Sequence, residues 1–223
     1  MSLQTSNLGW IFQSRTQAPF AGTRAGSRRN FPRDEVVCTR MKSVFPVQVL
    51  AISGSLRRSS SNSALVAAAA RLAPAGVQIS IFDGLADLPA FNPDFDQERT
   101  PDAVVRFRTQ LRTSGAILIS APEYAHGIPG ALKNALDWVV GSGELIGKPI
   151  GLVNTSARAT HAWQSLVETL TVMSATVVPG ASIVIPLQGP TDAGMIMDEP
   201  ALRDPLCAVI EAIAAAARDS RVL

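Results

Sequence analysis

"ISGSLRRSSSNSALVAAAA", residues 52–70, joins the end of an apolar run to an alanine-rich stretch through a seam holding six serines, two arginines and one glycine. The run before it, "VQVLAIS" at 47–53, is β-branched and short, and the stretch after it suits a helix from about Asn62 to Leu72, closed by Pro74 and Gly76. A strand that turns at a glycine and re-enters the chain as a helix is the opening of a βα unit.

The same alternation continues. "VQISIF" at 77–82 predicts a second strand, with a helix opened by Pro101 and reaching about Arg112. "GAILIS" at 115–120 predicts a third, followed by a helix from Pro129 to Val140. "KPIGLVNTS" at 148–156 predicts a fourth, leading to a helix from about His161 to Met173. "TVVPGASIVI" at 176–185 reads as a fifth strand broken by Pro179 and Gly180, and a last helix covers about Ala201 to Ala217. Apolar strands without alternation fit a sheet covered on both faces. The expected fold is therefore an α/β, three-layer αβα sandwich around a five-stranded parallel sheet. In such sheets ligands bind outside the carboxyl ends of the strands, which directs attention to the loops after strands one, three and four.

In the first of these loops, hydroxyls, backbone N–H groups and the Arg57 fork gather at the positive end of a helix. This is a cradle for an anion, and a phosphate monoester suits it. A plain N-cap would need only one Ser or Asn. No G-x-x-x-x-G-K-[ST] is present, and "GSGELIG" at 141–147 follows a helix rather than a strand, so neither a P-loop nor a dinucleotide fingerprint is supported. The only tyrosine, Tyr124, and His126 fall in the loop after strand three, and His161 falls after strand four.

"GSLRRSSSN" at 54–62 resembles the G-S-[LV]-R-x-x-S-x-N phosphate loop of the NADPH-dependent FMN reductase family, flavodoxin-like proteins that include quinone, chromate and azo reductases. The resemblance implies that Ser55, Arg57, Ser60 and Asn62, with Ser53 and Ser61 beside them, hold the FMN phosphate. "APEYAHGIPGALKNALDW" at 121–138 is similar to the family's P-E-Y-N-x-[SG]-x-P-G-x-L-K-N-A-[IL]-D-W segment, which passes along the isoalloxazine ring. That places Pro122, Glu123, Tyr124, Ala125 and His126 at the flavin. Tyr124 offers a flat face for packing. Ala125 stands where the family usually has Asn. Lys133, Asn134 and Asp137 share a helix face and are expected to be structural. After strand four the family commonly has a glycine-containing loop, whereas "NTSARATHAW" at 154–163 has no glycine. Ser156 and Arg158 are expected at the pyrimidine edge of the flavin, Arg158 alternatively at the 2′-phosphate of NADPH. Thr160 and His161 read as the N-cap and first turn of the next helix, with His161 equally open to facing a ligand.

The resemblance implies an oxidoreductase that takes a hydride from NADPH or NADH onto FMN and passes electrons to a small acceptor: a quinone, azo compound, metal ion or free flavin. It also implies a homodimer or homotetramer. The flavin carries the chemistry, so no side chain is assigned as catalytic. Two other readings stand beside it: a redox-sensing flavin module without substantial turnover, and a flavin-free phosphosugar- or nucleotide-binding domain.

Composition limits the rest. With 223 residues, 47% of them hydrophobic and 17% charged, the chain can bury a proper core. Residues 1–45 hold seven Arg/Lys against Asp34 and Glu35, while the remainder is net acidic. This leader is expected to be disordered and to lie outside a flavodoxin-like domain at 46–223. It reads either as an organellar targeting segment or as a tail preceding a translation start at Met41. Its excess of cations gives only nonspecific attraction, so no specific nucleic-acid partner is expected. Cys38 and Cys207 have no close spacing partner, and no disulfide framework and no metal site are expected. No uncharged apolar run reaches the length of a membrane span. A cytoplasmic location fits these features.

Overall fold

The computed structural model describes residues 46–57, 59–95 and 99–220. The leader at 1–45, and with it the reading of that segment, lies outside the described residues, as does Arg58.

Five strands form one sheet: β1 (Val47–Ser53), β2 (Val77–Phe82), β3 (Ala116–Ser120), β4 (Pro149–Asn154) and β5 (Thr176–Val184). Their order is β2-β1-β3-β4-β5, and every neighbouring pair is parallel. This is the flavodoxin-like order of a doubly wound sheet, and its direction reverses between β1 and β3. Every residue of β3 and β4 is buried, as the unalternating apolar sequence requires of central strands.

The helices are α1 (Ser61–Arg71), α2 (Asp102–Thr113), α3 (Gly130–Asp137), α4 (Thr160–Val172), α5 (Ala193–Asp198) and α6 (Pro200–Asp219). Successive residues of a strand point to opposite faces, so β1 feeds two cores. Val47, Val49 and Ala51 pack with Leu65 and Val66 of α1 and with Leu206, Val209 and Ile213 of α6. Leu50 and Ile52 face the other way, toward Phe107 of α2, Leu132 of α3 and Leu166 and Leu170 of α4.

Three expectations need correction. β5 is not broken at Pro179 and Gly180: the strand runs through them, with a register shift against β4 between Ile150 and Leu152. As the outermost strand it can lose a ladder hydrogen bond and take a bulge without exposing the core. The helix after β3 ends at Asp137 rather than Val140, in turns that follow Trp138. A short helix, α5, packs against α1 and has no counterpart in the sequence reading.

Asn134 and Trp138 are structural, as expected of this helix for Asn134. Asn134 Oδ1 accepts from the Phe91 amide at 2.8 Å, and its Nδ2 donates to the Pro89 carbonyl at 2.9 Å. The buried Trp138 indole N–H donates to the same carbonyl at 2.8 Å, and its ring meets Phe91 edge-on at 5.1 Å. Together they fasten the loop after β2 onto α3. Lys133 and Asp137 pair at 2.5 Å one helical turn apart, on the exposed side.

Candidate functional site

The loop between β1 and α1 is folded by its own hydroxyls. Ser60 is the N-cap of α1, its Oγ accepting from the Asn62 amide at 3.2 Å. Ser55 Oγ accepts from the Arg57 amide at 3.3 Å. Ser53 Oγ lies 2.9 Å from Ser63 Oγ and accepts from the Ser55 amide at 3.3 Å, so Ser53 pins the loop to the helix from behind. Gly54 is required by close approach: a Cβ there would sit 2.7 Å from Ala121 Cβ, while the Gly54 amide donates to the Ser120 carbonyl at 2.8 Å. The loop after β1 is thus pressed against the loop after β3.

Asn62 ties the carboxyl ends of β3 and β4 to the first turn of α1. Its buried Oδ1 accepts from Ser120 Oγ at 2.9 Å, and Thr155 Oγ1 stands 3.4 Å away. In the next turn Asn154 Nδ2 donates to the Ala159 carbonyl at 2.9 Å and its Oδ1 accepts from the Ser156 amide at 3.0 Å, which shapes the loop after β4 without a glycine.

The loop after β3 turns on a tight bridge. Tyr124 and Gly127 exchange backbone hydrogen bonds at 3.1 and 2.9 Å, and the two residues between them, Ala125 and His126, both have positive φ, 48° and 59°. Two consecutive left-handed residues make a hairpin turn of the primed kind. Asn tolerates that conformation better than Ala does, so the Asn expected at 125 has a backbone reason that Ala125 meets at a cost.

Glu123 leaves this turn toward α4. Thr160 is not the N-cap as expected: that position falls to Ala159, whose side chain offers no acceptor. Glu123 Oε2 supplies one from outside the helix, accepting from the Ala162 amide at 2.9 Å. That amide holds the Glu123 carboxyl below its ordinary range; burial opposes the shift and the His126 ring adds to it. Glu123 Oε1 lies 3.1 Å from His126 Nδ1 and 3.7 Å from His161 Nδ1, and the two Nδ1 atoms are 3.1 Å apart. The side chains of Glu123 and His126, both expected beside the flavin, turn together onto the N-terminus of α4.

Between the loops runs a cleft of about 1190 Å³. Ser55, Arg57, Ser60, Ser61 and Asn62 line it from the first loop, Pro122 and Tyr124 from the second, and Thr155 from the third. Tyr124 is 54% exposed, an aromatic face left open beside the hydroxyls. From the loop after β4 the cleft takes Thr155; Ser156 Oγ accepts from the Arg158 amide at 3.3 Å and makes a local turn. Among the cleft residues that escaped the sequence reading are Ser59, Thr155, Asp192 and Met195. The last two come from α5 and its N-cap, where Asp192 Oδ1 accepts from the Met195 amide at 2.9 Å. The signal was present in "GPTDAG" at 189–194, a turn followed by an N-cap aspartate.

The donor set fits a phosphate-bearing aromatic cofactor: buried hydroxyls and helix-end amides at one end of the cleft, an exposed ring at the other. Residues 47–189 match the model of the NADPH-dependent FMN reductase family. The chain belongs to this family. FMN is the cofactor carried in the family's description. An NAD(P)H-dependent FMN reductase of Pseudomonas aeruginosa is 42% identical over 113 residues, 50% of this chain and 60% of that protein. A quinone reductase of Pseudomonas putida is 38% identical over 122 residues, 53% and 64% of the two chains. The chain thus spans about 60% of the length of the curated relatives it matches. Among solved structures, the flavoenzyme FerB, an NAD(P)H:(acceptor) oxidoreductase of Paracoccus denitrificans, superposes with a TM-score of 0.61 at 23% identity over 77% of this chain and 97% of its own. That likeness shows the shared fold.

No helix among the described residues is long and apolar enough to cross a membrane.

Proposed function

We propose that residues 46–223 form an FMN-dependent oxidoreductase that draws a hydride from NADPH or NADH and delivers electrons to a small acceptor. The carrying observation is that the family's two signature loops, 60 or more residues of sequence apart in every pairing of Ser60 or Asn62 with Pro122 or Tyr124, meet across one cleft. Ser55, Ser60, Ser61 and the first-turn amides of α1 would hold the phosphate, with Arg57 offsetting its charge. Tyr124 and Pro122 would orient the ring, and Thr155 would close the far side. FMN itself supplies the hydride and electron transfer when bound. The chain's part is to bind it, orient it and leave one ring face open to two reactants in turn. A quinone is the acceptor class favoured by the names of the curated relatives.

The test is a titration of the full chain with FMN and with riboflavin, repeated on Arg57→Ala, followed by anaerobic NADPH. The reading expects FMN to bind tighter than riboflavin, the variant to lose mainly the FMN advantage, and NADPH to bleach the bound flavin rapidly. Equal losses for both ligands would reject the phosphate assignment, and persistent colour would reject turnover.

A further inference from the structure

Glu123, His126 and His161 form a cluster that the flavin cleft does not use. None of the three lines that cleft. Glu123 is mostly buried, with its side chain 12% exposed, whereas the two histidines stand 75% and 60% exposed at its outer side. Their rings meet edge-on with centroids 4.4 Å apart, and each presents Nδ1 to the same carboxylate oxygen.

Protons alone satisfy this arrangement poorly. A neutral imidazole carries one N–H. A proton on His126 Nδ1 can serve Glu123 or His161, and the third edge of the triangle then stays unbridged. A cation bound by all three atoms leaves none unpartnered. The size also fits: separations of 3.1, 3.1 and 3.7 Å put all three donors about 1.9 Å from a common centre, close to the roughly 2.0–2.2 Å of zinc bonds to imidazole and carboxylate. The other carboxylate oxygen is already fixed by the Ala162 amide, an outer contact of the sort that orients a ligating carboxylate.

We propose that Glu123 Oε1, His126 Nδ1 and His161 Nδ1 bind one divalent first-row transition-metal ion of the Zn²⁺ type, with its remaining positions open to solvent. Two imidazoles and one carboxylate select that class over Mg²⁺ or Ca²⁺, which prefer all-oxygen sets. Three protein ligands with open positions resemble reactive rather than purely structural sites. The ion would also fasten the turn after β3 to the start of α4. The site does not depend on the flavin reading and would stand if FMN failed to bind.

The experiment uses the full chain without an affinity tag, stripped with EDTA and titrated with Co²⁺ followed by absorption and with Zn²⁺ followed by calorimetry. One ion per chain is expected, with Zn²⁺ displacing Co²⁺ and Mg²⁺ displacing neither. His161→Ala and Glu123→Gln should each weaken Zn²⁺ binding at least about tenfold. Zn²⁺ should raise the melting temperature of the wild type and not that of the His126→Ala/His161→Ala double variant. Far-UV circular dichroism checks the fold, and the paired His→Gln variants repeat the titration if an alanine variant misfolds. Absence of stoichiometric binding, or binding that survives both paired variants, overturns the proposal.

Discussion

Ser120 Oγ donates to Asn62 Oδ1 at 2.9 Å, so one buried bond ties the carboxyl end of β3 to the first turn of α1. Thr155, at the end of β4, stands at the same oxygen. Removing the acceptor leaves a buried hydroxyl without its partner, which costs about 1–3 kcal/mol. Asn62→Ala should lower the urea midpoint accordingly. The Asn62→Ala/Ser120→Ala pair should cost less than the sum of the singles, because the two share one interaction. Strict additivity would show that the bond contributes little.

Gly54 faces Ala121 with no room for a methyl group. Gly54→Ala should push the loop after β1 away from the loop after β3 and destabilise the fold by about 1–3 kcal/mol, as overpacking does. Gly54→Ala/Ala121→Gly should restore most of the loss. Failure of the second change to rescue would place the strain elsewhere.

Ala125 occupies a left-handed backbone conformation with φ of 48°. Ala125→Gly relieves the Cβ contact that makes this conformation cost roughly 1–2 kcal/mol for an L-residue, and Ala125→Asn relieves part of it. Both should raise the melting temperature, the glycine gain being reduced by the freedom it adds to the unfolded chain. A lowered melting temperature in both would contradict the account of the turn.

Lys148 donates to the Leu111 carbonyl and, at 2.7 Å, to the Ser114 carbonyl. Burial pushes its ammonium below the ordinary lysine value, against the pull of Glu144. Between the lowered folded value and the unfolded value of about 10.4, the unfolded chain binds more protons, so stability rises with pH in that window. Below it the burial penalty is fully felt. Lys148→Met should remove this rise, seen as a smaller difference between denaturation midpoints at pH 8 and pH 10. Parallel pH profiles for the two proteins would be the contrary result.

Much of the architecture could be read ahead of the coordinates, for reasons visible in individual elements. "AILIS" is too short and too uniformly apolar for an amphipathic helix, and it became the central strand. The serine seam lay at the reversal point of the sheet because strand one, its turn and α1 are continuous in sequence. What escaped the sequence reading depended on residues far apart in the chain. Nothing local to Glu123 indicates that it serves the Ala162 amide 39 positions on. His126 and His161 were each visible, but their Nδ1 atoms meet only because two loops converge. α5 was missed since six residues carry too little periodicity to stand out. Pro179 and Gly180 misled because their cost to a strand depends on its place in the sheet, and an outermost position accepts them.

That outermost position has a further consequence for association. Pro179 has no amide hydrogen to offer, and the register shift beside Gly180 bends the strand where a second chain would have to run alongside it. The β5 flank of the sheet is therefore a poor template for strand addition, a natural safeguard against edge-to-edge aggregation. Copies of this chain that associate on that side would have to meet through helices and loops, leaving the sheet at five strands.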